Sequence, residues 1–128
     1  MSERSDRLTR ALSLLERLEP SAPDRVKSSL DAFHPDTAEL VLGYAFADIV
    51  GRRGIDLKTR EMLTVAMLAA MGTAQDQLEF HVRAAMNTGV SREEIVEIVL
   101  QVSVYAGVPA AMNAIAAAKR AFPPTETA

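Results

Sequence analysis

Residues 56–107 read DLKTREMLTVAMLAAMGTAQDQLEFHVRAAMNTGVSREEIVEIVLQVSVYAG, and Gly72, Gly89 and Gly107 cut the stretch into three pieces of helical length. Glycine takes the left-handed backbone that closes a helix more easily than any other residue. Each piece therefore reads as a helix with its own stop. Ser91 and Glu94 form an S-x-x-E capping box that starts the third piece. On the middle piece Leu78, His81, Val82 and Ala85 fall at i, i+3, i+4 and i+7, so they share one face. His81 thus points where apolar residues point, and a titratable ring on such a face needs a reason.

Outward from this stretch, the chain reads as helices separated by short breaks. Leu8, Ala11, Leu12, Leu15 and Leu18 make the stripe of an amphipathic helix over residues 4–19, which Pro20 and Pro23 end. Ser21 is placed to cap a second helix over residues 23–33. His34-Pro35 is a stop, because the residue before proline is pushed out of the helical region. Asp36 and Glu39 resemble another capping pair, opening a helix over residues 37–50 whose Leu40, Val41, Tyr44, Ala45 and Ile49 form one face. Arg52 and Arg53 sit in a glycine-flanked loop and read as solvated charges, and Asp56 is the next N-cap. Residues 57–71 are polar in the first turn and then apolar nearly all round, as in a helix central to a bundle or buried between subunits. The third piece is rich in β-branched residues, but its capping box, the spacing of Glu93, Glu94 and Glu97, and its length favour helix over strand. Pro109 suits the first turn of a last helix rich in alanine, which Pro123 and Pro124 end. The expectation is an all-α single domain spanning residues 1–128, with six or seven helices.

Composition narrows the function classes. Of 128 residues, 48% are apolar, enough for a sizeable core and too many for disorder. The net charge is −3, from 14 basic and 17 acidic residues mixed along the chain, so no nucleic-acid partner is expected. Cysteine is absent, which removes disulfides, thiolate metal sites and cysteine nucleophiles together. The charged N-terminus has no apolar secretion signal, and the longest apolar run, Met62–Met71, is too short to span a bilayer. A soluble cytoplasmic protein with no membrane partner is the default expectation. His34 and His81 lack metal-ligand spacing, so no metal site is expected.

The pieces LKTRE, HVRAAMNTGVSREEI and VYAGVPAAMNA, with the weaker YAFADIVGRRG, resemble the carboxymuconolactone decarboxylases of the protocatechuate branch of aromatic degradation. The resemblance covers about residues 40–120. It implies an all-α, alkylhydroperoxidase-D-like fold whose helices interlock into homo-oligomers, trimers or hexamers. The same superfamily holds proteins with a C-x-x-C-x-x-x-H motif. With that histidine on His81 the thiol positions fall on Ala74 and Gln77, so thiol-based peroxide chemistry is unavailable here. Two tryptophans of the decarboxylase pattern are replaced by Phe46 and Val50, while Arg52 keeps an arginine position. An N-terminal R-R-x-V-L-G stretch has no clear match near Ser13–Leu18.

The reaction implied is loss of CO₂ from a small carboxylated lactone, with no cofactor. The electron pair left behind passes into the conjugated carbonyl, so the site must supply a proton donor and cations for carboxylates. Histidine suits the first role and arginine, with its planar fork, the second. The resemblance makes His81 the catalytic candidate, with Glu61 to orient it or relay its proton. The plainer reading of His81 is a core histidine satisfied by a carbonyl or carboxylate; that of Glu61 is a solvated first-turn carboxylate. Arg60, Arg83 and Arg52 are candidate substrate clamps with surface ion pairing as the alternative. Arg83 stands roughly 200° round the helix from His81, so it would serve a different site. Tyr105 shares a stripe with Ile98 and Val102 and is a candidate for substrate contact or for core packing.

Overall fold

The computed structural model describes residues 3–124, and every regular element among them is helical. The chain forms two compact units, Met1–Leu57 and Lys58–Ala128.

In the N-terminal unit, α1 (Glu3–Leu18) buries Ala11, Leu14, Leu15 and Leu18. It packs on α2 (Ala22–Phe33), α3 (Thr37–Leu42) and a π-helix over Gly43–Val50. Pro23 lies in the first turn of α2, and His34 leaves that helix extended at φ −163° and ψ 140°, as a following proline demands. Two expected caps are absent. Ser21 makes no side-chain cap bond. Asp36 sits at φ 75°, in the left-handed region, and its side chain does not cap α3. That end is capped from α2 instead: Asp31 Oδ1 accepts from the Ala38 N–H at 3.0 Å, and Lys27 donates to Oδ2 at 3.1 Å. The two bonds, the backbone one first, hold the Asp31 carboxyl below its ordinary range.

The single helix expected over residues 37–50 is also corrected. After Leu42 the backbone widens into the π-helix, which closes where the Gly51 N–H donates to the Phe46 carbonyl, five residues back, at 2.8 Å. Its apolar face does not make the core. Ala38, Glu39, Leu42 and Gly43 are buried, whereas Leu40, Val41, Tyr44 and Ile49 are exposed.

In the C-terminal unit, α4 (Leu57–Met71), α5 (Gln75–Asn87), α6 (Arg92–Ala106) and α7 (Val108–Ala121) share one core. Gly72, Gly89 and Gly107 all take positive φ, at 75°, 108° and 97°, so the three expected stops are formed. The capping box is complete: Glu94 N–H donates to Ser91 Oγ at 3.0 Å and Ser91 N–H to Glu94 Oε1 at 2.9 Å. Val65, Leu78, Val82 and Ile95 are sealed, each worth about 1.5–3 kcal/mol of transfer free energy. Against them α7 presents Ala111, Ala114, Ala117, Ala118 and Ala121, small enough for close approach to α5 and α6. Only one side of α4 is covered within the unit; Leu63, Met67 and Met71 are exposed, as are Val96, Leu100 and Val104 of α6. No helix among the described residues is long and apolar enough to cross a membrane.

Candidate active site

Glu61 stands one turn into α4 and is completely buried, the one fully sealed ionisable side chain among the described residues. Its Oε1 is 2.7 Å from Nδ1 of His81 on α5. The apolar stripe of α5 brings this about: Leu78, Val82 and Ala85 turn inward, and His81, on the same face, is carried to the edge of the core. The imidazole keeps 14% of its side-chain surface accessible, so it links a sealed carboxylate to the outside. Phe80 stands edge-on to the ring, with centroids 5.0 Å apart and planes at 79°. With an ionised Glu61, Nδ1 is the donor and Nε2 is the nitrogen left to exchange a proton. The other carboxylate oxygen, Oε2, has no hydrogen-bond partner among the described residues. A buried acceptor left unmade costs about 1–3 kcal/mol, so this is a position the fold alone would not favour.

The remaining candidates are scattered. Arg83 donates to Glu79 at 3.1 Å, and Arg120 donates to the other oxygen of Glu79 at 2.8 Å. These contacts, Arg120 first, hold the Glu79 carboxyl below its ordinary range. Arg60 is half-buried in the first turn of α4, where its carbonyl accepts from the Thr64 hydroxyl at 2.9 Å. Tyr105 departs from the packing that its stripe predicts. Val102 is buried and Ile98 half-buried, yet Tyr105 is 85% exposed, one residue before α6 ends. It lines an apolar groove of about 540 Å³ between α4 and α6, with Met62, Leu63 and Met67.

Arg52 lies in the N-terminal unit, on a second cleft of about 600 Å³. Sequence reasoning placed Arg52 and Arg53 in a loop but missed their companions, Arg10 and Arg17 of α1, which line the same cleft. The available signal was their spacing of seven residues, which puts them within roughly 20° of one another on a helix. Phe46, Val50 and Leu14 line it too.

The sequence model of the carboxymuconolactone decarboxylase family matches residues 35–120. The chain belongs to the carboxymuconolactone decarboxylase family. It is 34% identical over 99 residues to the 4-carboxymuconolactone decarboxylase of Acinetobacter baylyi, covering 77% of this chain and 73% of that one. It is 31% identical over 109 residues to an uncharacterized 15.0 kDa protein of Paracoccus denitrificans, covering 84% and 76%. A nitrosuccinic acid decarboxylase of Metarhizium robertsii is 36% identical over 77 residues, 60% of this chain and 53% of that one. The matched span of the family includes both Glu61 and His81, and the family together with these relatives supports a decarboxylase-like function.

Proposed function

We propose that this member of the family is a cofactor-free decarboxylase acting on 4-carboxymuconolactone or a related small carboxylated lactone, with His81 as proton donor and Glu61 as the group that positions it. The bond from the ring carbon to its carboxylate breaks and CO₂ leaves. The electron pair passes through the conjugated ring to the lactone carbonyl oxygen as a dienolate. A proton from Nε2 of His81 then reaches the carbon beside the lactone carbonyl, giving the 3-oxoadipate enol-lactone, and the ring recovers its proton from solvent. General acid catalysis of this kind is worth roughly 10²–10⁴-fold. The observation that carries the reading is the Glu61–His81 bond, formed by a carboxylate with no access to water.

A second reading is supported by Phe46 and Val50 in place of tryptophans: a family member that binds a small acid without turning it over. One assay separates the two. Wild type and His81→Gln are each given 4-carboxymuconolactone while lactone absorbance and CO₂ are followed. Turnover by wild type, lowered about 10²-fold or more in the variant, supports the first reading. A folded wild type that releases no CO₂ rejects the substrate, and an unimpaired variant removes His81 from the chemistry.

The same reading includes a homo-oligomer, trimer or hexamer, in which the exposed apolar side chains of α4 and α6 meet a second copy. Light scattering after size exclusion measures this directly; a monomer at working concentration would reject it.

A further inference from the structure

The cleft of the N-terminal unit has a charge that the chain as a whole does not. The protein is net acidic, yet Arg10, Arg17, Arg52 and Arg53 line this one opening against a single carboxylate, Asp56. Among the described residues, Arg17 and Arg53 have no ion pair or hydrogen bond to satisfy their guanidiniums. The side chains are sorted by depth. All four arginines are exposed, Phe46 and Val50 are half-buried, and Leu14 is buried. The result is an apolar floor under a ring of forked cation donors.

The local backbone is built to hold that arrangement. The π-helix closes at Gly51, where an added Cβ would stand 2.9 Å from the Phe46 carbonyl oxygen and 3.2 Å from that of Ala47. Backbone atoms cannot yield as a side-chain tip can, so a residue without a side chain is needed to start the loop that carries Arg52 and Arg53. On the facing element, Arg7 ties α1 to the π-helix and to α3: Nη2 is 2.6 Å from Asp48 Oδ2 of the former and Nη1 is 3.2 Å from Glu39 Oε1 of the latter. Arg10 and Arg17 are thereby held on the cleft side of α1. π-Helical turns inside α-helices occur frequently at functional sites.

We propose that this cleft binds a small organic acid carrying at least two carboxylates on an apolar body. Guanidinium forks pair with carboxylates in a bidentate way, and two such groups use arginines from both walls. The floor of Leu14, Phe46 and Val50 selects for an apolar body over a bare inorganic anion. The site lies wholly within the N-terminal unit, and its occupancy is read by binding, so it stands or falls separately from turnover at His81.

Isothermal titration of the full chain at low salt tests it with three probes: phthalate, benzoate and inorganic phosphate. Phthalate is expected to bind with a Kd below about 1 mM, and benzoate and phosphate at least about tenfold more weakly. Arg17→Gln/Arg53→Gln, two exposed positions that the fold does not need, should weaken phthalate at least about tenfold. His81→Gln should bind phthalate as wild type does. Phthalate binding that is absent, or unchanged in the double variant, overturns the proposal. Phosphate binding as tightly as phthalate overturns the dicarboxylate class, and loss of phthalate binding in His81→Gln overturns the location.

Discussion

In the N-terminal unit Arg7 joins α1 to the π-helix through Asp48 and to α3 through Glu39, and the Arg7 and Asp48 side chains keep 28% and 40% of their surface in water. In the C-terminal unit Glu61 keeps none, and its one partner among the described residues is a half-buried imidazole. The Arg7–Asp48 pair is cheap to form and contributes little, because water already solvates both charges. The second removes a carboxylate from water and leaves one of its oxygens unmatched, which stability alone would not select. Arg17 and Arg53, by contrast, are exposed and have no ion pair among the described residues, so they can take on an anion. One unit thus carries charge that can be shared with a ligand, and the other carries charge that can be spent only on its neighbour.

The sharpest test of that contrast replaces Glu61. Glu61→Gln keeps the volume and can still accept from Nδ1 through its amide oxygen, but it takes away the negative charge beside the ring. Decarboxylation under kcat conditions should fall about 10²-fold or more, with a melting temperature close to wild type. An active, equally stable variant would make Glu61 a packing residue. A smaller effect is expected at the start of α6. Ser91→Ala removes one half of the capping box and should cost about 0.5–2 kcal/mol by urea denaturation. No change there would mean that tertiary packing, not the cap, sets the helix start.

The smallest effects belong to the surface carboxylates. Arg7, chiefly by hydrogen bonding, holds Asp48 below its ordinary range, and Arg120 and Arg83 do the same for Glu79. A carboxyl depressed in the folded state contributes stability above its unfolded pKa of about 4, and the contribution is lost as pH falls through the lower folded value. Asp48→Asn and Glu79→Gln should therefore each flatten the loss of stability below about pH 4, and leave its slope near neutrality unchanged. Both differences should shrink in high salt. An unchanged acid limb in either variant would show that the corresponding pair forms equally in the unfolded chain.

The helices and their ends were readable where local chemistry decides them. Gly72, Gly89 and Gly107 stop helices at a positive φ that glycine takes most easily, and Ser91 with Glu94 is a two-residue device visible in the text. The rest depends on tertiary partners. Asp36 looked like a cap, but Asp31, five residues earlier on α2, reaches Ala38 first. The π-helix leaves no mark on an apolar periodicity that fits an α-helix as well. Tyr105 has the spacing of a core residue and lacks only a neighbour to cover it. For the candidate site, the face of His81 was legible, whereas the complete burial of Glu61 was not: a charged first turn ordinarily reads as solvated. Arg10 and Arg17 were passed over because the polar side of an amphipathic helix carries no signal until another element faces it.

The chain has no tryptophan, and its two tyrosines are Tyr44 and Tyr105, 61% and 85% exposed. Both phenols already sit in water, so their emission should barely register the loss of the core on heating. The same two rings would respond to any surface laid over them, which makes ultraviolet fluorescence of this protein a gauge of association and a poor thermometer of folding.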